Sequence, residues 1–459
     1  MIKKAFLSSY SSSLKEFFFY IIVFILTFVI FDQSISILNS VQPDSEDYIG
    51  NNERRRSIYF IFMNILDFFR IDVFLGQKIF LAASIVFLLF ILVRKKIGKI
   101  LCIIFFLSMV SNIYYTSFTK TILPESLFFT CINFSLGLLI IRSQSVITNF
   151  FRGIFLGLIF SMKAIGPVIA TTILIFFLFK KQRNYLRNIS VIVSSFFLIV
   201  LIENIVFYSE NDHRSSVWNF SMKGKIFMIS GLDSFDISKY SESKNEVLIM
   251  SKETFKDVQD FLKNIKNPFL KSDLSADYEV IAQYQFLEFD EFHQNIVLRK
   301  DFEKNIDEYF VNLIKFNFLE YIQLSFSHYL GMWTSGSKIL YLENFLTDNN
   351  VNLPMKKELF KASGPMRKIN NLVLLVGHLV LVLVLIIYLL ATLFSVLKAL
   401  RMRNFLDHSF VFVVVSQLYL IVVSFTNVAT IRYLMPVYPI IILSIVFSLE
   451  IFLKKNSNH

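Results

Sequence analysis

GIFLGLIFSMKAIGPVIATTILIFFLF, from Gly153 to Phe179, is apolar apart from a tight cluster of Lys163, Gly166 and Pro167. A helix needs about 20 apolar residues to cross the hydrocarbon core of a bilayer. This run is too long for one crossing, and proline together with glycine marks the place where a helix bends or stops. Two short helices meeting at a bend are therefore expected. The choice matters beyond these residues, because reading the run as a single span inverts every later loop.

Eight further apolar runs flank it: Phe17 to Leu38, Ile79 to Val93, Ile100 to Tyr115, Ile122 to Ile141, Ile189 to Tyr208, Leu372 to Leu397, Phe410 to Phe425 and Val437 to Leu453. With the two halves of the opening stretch, Gly153 to Met162 and Gly166 to Phe179, they make about ten expected crossings. Composition agrees. The 459 residues are 55% hydrophobic, include 54 Phe and have a mean hydropathy of +0.58, which excludes an ordinary water-soluble globular protein. The formal net charge of +11 sits mostly in the short loops Arg94 to Lys99, Arg142 to Arg152, Lys180 to Arg187 and Lys398 to Arg403. Those loops all fall on one side if both termini are cytoplasmic, as the positive-inside rule requires. The basic excess is thus a matter of topology, and no nucleic-acid partner is expected. Cys102 and Cys131 lie inside apolar runs, without metal-ligand or disulfide spacing.

The expected fold class is an all-α polytopic membrane protein with an inserted, mostly helical extracytoplasmic domain. Residues 1–208 form an N-terminal membrane module of about seven spans, whose first outer loop covers 39–78. Residues 209–369 form the extracytoplasmic domain, periplasmic or extracellular, and 370–459 a C-terminal module of about three spans. Within the inserted domain Ser251 is expected to cap a helix that Pro268 ends, and 302–318 has helical spacing. EYIQLSFSHYLGMWTSG, from Glu320, reads as an interfacial helix with His328 at headgroup level.

Polar residues concentrate at the outer ends of the spans. The first outer loop carries Asp44, Glu46, Asp47 and Tyr48, then Glu53, Arg54, Arg55, Arg56 and Tyr59. Three arginines on the non-cytoplasmic side oppose the charge bias. Either they pair with the loop's own carboxylates, or they bind a phosphate, whose oxygens guanidinium groups contact bidentately. Asp44, with Asp47 in reserve, suits a general base at the lipid boundary, or caps a short helix. Glu125 opens a span at Leu123-Pro124-Glu125-Ser126, where a carboxylate orients an acceptor, binds a metal or caps the helix. Lys163 and Glu203 are ionisable groups in apolar context and thus candidate sites or partners; snorkelling also accounts for Lys163. His213 is either a surface side chain or, with Glu125, a metal ligand. Arg432 and Tyr433, before Pro436 and Pro439, are an interfacial anchor or a second phosphate contact.

Taken together, PDSEDYIGNNERRRSIY after the first span, LPES opening the fourth, the GIFLGLIFSMKAIGP bend and IRYLMPVYP before the last span resemble the glycosyltransferase-C superfamily. The likeness is nearest to its bacterial polyprenyl-phosphate-sugar-dependent members, grouped with protein mannosyltransferases and the lipid A aminoarabinose transferase. It implies inverting sugar transfer from a polyprenyl-phosphate donor on the outer face of the cytoplasmic membrane. The acceptor would be a glycan, a lipid or a protein, with membrane lipids around the site. Asp44 would act as base, while Arg54, Arg55, Arg56, Lys163, Arg432 and Tyr433 would contact phosphate or substrate. A divalent metal, Mg2+ or Mn2+, helps such a reaction but is not required, since the leaving phosphate already carries charge. The family often pairs its first-loop acidic residues, whereas here Asp44 and Asp47 are separated by Ser45 and Glu46. An O-antigen or polysaccharide polymerase or ligase, or a lipid-linked glycan flippase, is the alternative.

Overall fold

The computed structural model describes residues 2–34, 36, 40–41, 44–53, 55–141, 143–179, 184–214, 218–240, 242–266, 268–275, 294–295, 300–333, 366–427 and 431–456. Every regular element among them is helical. In chain order they are α1 (Ile2–Gln33), α2 (Ser45–Ile49), α3 (Ile58–Phe68), α4 (Val73–Arg94), α5 (Lys99–Val110), α6 (Ile113–Ser117), α7 (Glu125–Ile140), α8 (Val146–Met162), α9 (Gly166–Phe179) and α10 (Tyr185–Glu210). There follow α11 (Trp218–Ser230), α12 (Glu242–Lys263), α13 (Pro268–Ser275), α14 (Lys300–Phe316), α15 (Phe318–Gly331), α16 (Met366–Met402), α17 (His408–Thr426), α18 (Ile431–Leu434) and α19 (Tyr438–Asn456).

This is an all-α, multi-pass membrane protein. Among the described residues six helices are long and apolar enough to cross a bilayer: Leu14–Gln33, Val73–Arg94, Tyr185–Glu210, Leu379–Met402, His408–Thr426 and Arg432–Lys454. A seventh candidate is the pair Lys99–Val110 and Ile113–Lys120, bent by 52°. The bend comes from Asn112, whose side-chain oxygen accepts from the amides of Tyr114 and Tyr115 at 3.1 Å and so starts a new helix inside an apolar run. The remaining expected crossings coincide with shorter apolar helices, Glu125–Ile140, Val146–Met162 and Gly166–Phe179.

The Gly153 to Phe179 run does break into two helices. Lys163 is extended, the amide of Gly166 donates to its carbonyl at 2.9 Å, and a Cβ on Gly166 would lie 1.9 Å from the carbonyl oxygen of Ile159. Only glycine allows that approach.

Several boundaries differ from expectation. Arg142 to Arg152 is not all loop, because Ser145 caps α8, accepting from the amide of Thr148 at 3.1 Å. Arg152 is buried and donates to the carbonyls of Leu138 and Ile141, the open end of α7. Its charge terminates a helix, where the macrodipole favours a cation. The segment 39–78, expected as a loop, holds α2, the apolar helix α3 and the first turns of α4, which Asp72 caps through the amide of Leu75 at 3.0 Å. Gly153 and Gly157 let α8 approach α10 closely: a Cβ on Gly153 would meet Ser195 Oγ at 1.9 Å and the Ile192 carbonyl oxygen at 2.2 Å.

The chain divides into two compact units, one of residues 1–215, 387–416 and 435–459, the other of 216–386 and 417–434. In the second unit Ile226, Phe227, Ile229, Val247, Phe255 and Val258 belong to a continuous apolar core. Ser251 does not cap a helix there. It sits within α12, its hydroxyl bonded back to the Val247 carbonyl at 2.7 Å, and Pro268 opens α13 instead of ending α12. His328 is not at headgroup level on the surface of α15; it is fully buried, whereas Phe318, Leu319 and Phe326 are exposed.

Candidate functional site

The segment 39–78 is held at two places within the first unit. At one, Ser45 Oγ donates to the Ile122 carbonyl at 2.8 Å, tying α2 to the segment that enters α7. At the other, Asn51 adopts a left-handed backbone with φ 47°, a conformation its short amide tolerates. Its side chain bonds Glu210 Oε2 and Ser57 Oγ, each at 2.8 Å, and its carbonyl takes Asn211 Nδ2 at 2.8 Å. The loop is thereby fixed to the start of α7 and the end of α10.

Arg55 lies between two carboxylates. Its Nη2 is 2.8 Å from Asp44 Oδ1 and its Nε 3.1 Å from Asp47 Oδ2, while the guanidinium stands 5.1 Å from the Tyr48 ring centroid. Asp44 occupies the N-cap position of α2, yet its carboxylate makes no capping hydrogen bond. Burial works against the Arg55 charge, but Tyr48, Asp44 and Asp47 more than offset it and raise the guanidinium above its ordinary value. Among the described residues, Asp44 and Asp47 thus share the Arg55 guanidinium.

The next residue belongs to a cluster of opposite balance. Glu203 on α10 is fully buried and accepts from the Ser57 amide at 3.1 Å and from Arg214 Nη2 at 2.9 and 3.2 Å. Arg56 Nη1 stands 3.8 Å from Glu203 Oε2, outside hydrogen-bonding range. Arg214 also covers the Phe207 ring at 4.0 Å. Burial first, and then the neighbouring Arg214, lower Arg56 below the usual guanidinium value. Among the described residues two guanidiniums share one carboxylate, so one positive charge is in excess there. Both arginine side chains retain partial exposure, 28% for Arg56 and 21% for Arg214, which leaves them open to an anion.

A third group stands at the mouth of α7. Glu125, fully buried, is 2.7 Å from Lys163 Nζ in the break between α8 and α9. Tyr59 connects it to the loop. The Tyr59 ring meets Tyr48 edge-on at 5.7 Å, and its phenol is raised by burial, by the Glu125 carboxylate and by Tyr48. Arg55 stacks on Tyr48 and Tyr48 meets Tyr59, whose phenol feels the Glu125 carboxylate that pairs with Lys163.

Among the sequence candidates, Asp44, Asp47, Arg55, Arg56, Glu125, Lys163 and His213 all fall in the first unit. His213 Nε2 is 2.9 Å from Glu53, whereas Glu125 engages Lys163, so these two residues take different partners. Among the described residues no group of three His, Cys, Asp or Glu side chains is placed to hold a metal ion, and no step below is assigned to one. Arg54 lies outside the described residues. Arg432 and Tyr433 are half-buried in α18, within the second unit. The residue that sequence reasoning left unassigned at this site is Arg214. Its signal was Glu203, since a carboxylate in an apolar span demands a cation nearby.

An apolar groove of about 470 Å3, lined by Phe17, Tyr20, Phe24, Val86 and Phe87, lies along α1 and α4. It is at the end of α1 opposite Asp32, flanked by the Glu16 and Arg94 ion pair at 3.1 Å, and suits a lipid chain more than polar chemistry. No protein-family model, curated protein or solved structure matches the chain.

Proposed function

We propose that the protein is a membrane glycosyltransferase that moves a sugar from a polyprenyl-phosphate donor to an acceptor hydroxyl at the outer face of the cytoplasmic membrane. The supporting observation is the juxtaposition, at consecutive residues Arg55 and Arg56, of an acidic cluster with a basic one that keeps a positive charge in excess. In this reading the chain crosses the bilayer about ten times, both termini are cytoplasmic and the inserted domain is periplasmic or extracellular.

The acceptor oxygen attacks the anomeric carbon, the bond from that carbon to the phosphate oxygen breaks, and the phosphate leaves with the electron pair. The configuration at the anomeric carbon inverts. Asp44 takes the acceptor's proton, with Asp47 holding Arg55 in place when Asp44 turns to the acceptor. Arg56 and Arg214 offer the leaving phosphate fixed donors, which stabilise charge as it develops. Glu125, anchored by Lys163, orients the acceptor. A polymerase or ligase reading draws on scattered late arginines and histidines, of which His328 is fully buried.

The phosphate contact is tested by native mass spectrometry of the full chain in nanodiscs containing polyprenyl phosphate or the uncharged polyprenol. Selective retention of the phosphate form, reduced at least tenfold in an Arg56→Gln, Arg214→Gln double variant, is expected. Equal retention of both lipids by the wild type contradicts the assignment.

A further inference from the structure

α17 is a membrane-spanning candidate that ends at Thr426, and the last carbonyls of any helix lack partners within it. Two side chains from elsewhere in the second unit donate to them, and His328 lies beside the residue that follows. Lys225 Nζ on α11 donates to the Ser424 carbonyl at 2.7 Å, Tyr321 on α15 donates its hydroxyl to the Phe425 carbonyl at 2.5 Å, and His328 Nδ1 on α15 lies 3.2 Å from the Asn427 carbonyl. Lys225 and His328 also meet each other, Nζ to Nδ1, at 2.6 Å. His328 Nε2 faces the Ser275 carbonyl at 3.1 Å and must carry a proton to donate to it, so in the neutral ring Nδ1 accepts from Lys225.

Both side chains are fully buried, and no carboxylate is paired with Lys225 among the described residues. The elements packed around the couple are α11, α13, α15 and the end of α17. Among the described side chains, the titratable groups turned toward it are Lys225, His328 and Tyr321, whose ring centroid is 5.8 Å from Lys225 Nζ; α13 and α17 present carbonyls. One positive charge is accommodated there, since a cation near a helix C-terminus is favoured by the macrodipole. A second proton would set two buried cations 2.6 Å apart, with no carboxylate paired to either among the described residues.

We infer that Lys225 and His328 form a latch that holds the C-terminal end of α17 and opens when the couple takes up a second proton. Lys225 and His328 are positioning residues in this scheme. Their bearing on sugar transfer rests on the function proposed above; the latch itself does not.

The direction of the pH effect follows from burial, which holds Lys225 well below its ordinary value of 10.5. Burial, and then Lys225, hold His328 well below 6.5. The latched state therefore binds fewer protons than the open one. Its stability falls as pH falls, with the histidine contribution lost below about 6.5.

Hydrogen exchange of the full chain in nanodiscs, read on peptides covering 424–434 and corrected for the intrinsic rate, tests this. The wild type should open up to about tenfold more per pH unit below about pH 6.5, the limit for uptake of one proton. His328→Gln, which can still accept from Lys225 but cannot be protonated, should flatten that dependence. Lys225→Met should raise exchange of the same peptides at every pH. A wild-type profile that is flat from pH 7.5 to 5, or an equally steep profile in His328→Gln, overturns the latch. Because no sugar is transferred in this measurement, its failure and that of the transferase reading are distinguishable.

Discussion

Replacing Glu203 by glutamine keeps an acceptor for the Ser57 amide, 3.1 Å away, and removes the negative charge that Arg214 and Arg56 share. Breaking a buried pair by neutralising one member costs about 3–5 kcal/mol, because the surviving charge is left uncompensated. Both arginines here keep some contact with water, so the lower end, about 3 kcal/mol, is expected. Glu203→Ala should lose a further ~1 kcal/mol, the worth of the hydrogen bond from Ser57. Adding Arg214→Gln to Glu203→Gln should recover part of the loss, since it removes a cation that no longer has a partner. Reversible unfolding in mixed micelles, monitored by circular dichroism, gives the three differences. If Glu203→Gln lies within about 0.5 kcal/mol of the wild type, Glu203 does not carry the charge balance assigned to it, and the argument for an anion site beside it fails.

Two other substitutions probe the frame around the site. Gly153→Ala should destabilise the protein by about 3 kcal/mol, because the new methyl group meets Ser195 Oγ and the Ile192 carbonyl and forces α8 away from α10; an unfolding midpoint equal to that of the wild type would contradict this packing. Lys163→Met should cost about 3 kcal/mol by leaving the Glu125 carboxylate buried without its ammonium, and Lys163→Met with Glu125→Gln should recover most of it. The same unfolding assay decides the second case, where additive losses would show that the two residues are not coupled.

Much of the fold was legible as apolar periodicity interrupted by charge. The break at Lys163, Gly166 and Pro167 could be read because proline and glycine act locally, whatever surrounds them. The bend at Asn112 was not legible, since an asparagine in an apolar run signals only through the two amides it happens to reach. Arg142 to Arg152 looked like an ordinary basic loop, and the use of Arg152 as a cap for α7 depends on a packing partner 11 and 14 residues earlier in the chain. Ser251 carried the composition of an N-cap but lies within α12, where its hydroxyl simply bonds the preceding turn.

The candidate site was legible in its residue types more than in its pairings. The out-of-place arginines and the carboxylate at Glu203 each demanded compensation, and the sequence offered several partners for each. That Arg55 takes Asp44 and Asp47 while Arg56 and Arg214 gather at Glu203 depends on how the loop is pinned by Asn51 and Ser45, contacts spanning 159 and 77 residues of chain. Lys225 gave no usable signal and His328 read as an interfacial side chain, because the burial of both comes from helices distant in sequence.

The most direct measurement is sugar transfer by the purified chain in proteoliposomes, with a radiolabelled polyprenyl-phosphate sugar and an outer-face acceptor, for the wild type, Asp44→Asn and Asp47→Asn. The account predicts transfer by the wild type, a loss of at least a hundredfold in Asp44→Asn, in the range lost with a general base, and a smaller loss in Asp47→Asn. Full transfer by Asp44→Asn would contradict the assigned base, and no transfer by the folded wild type across a panel of donors would contradict the proposed activity.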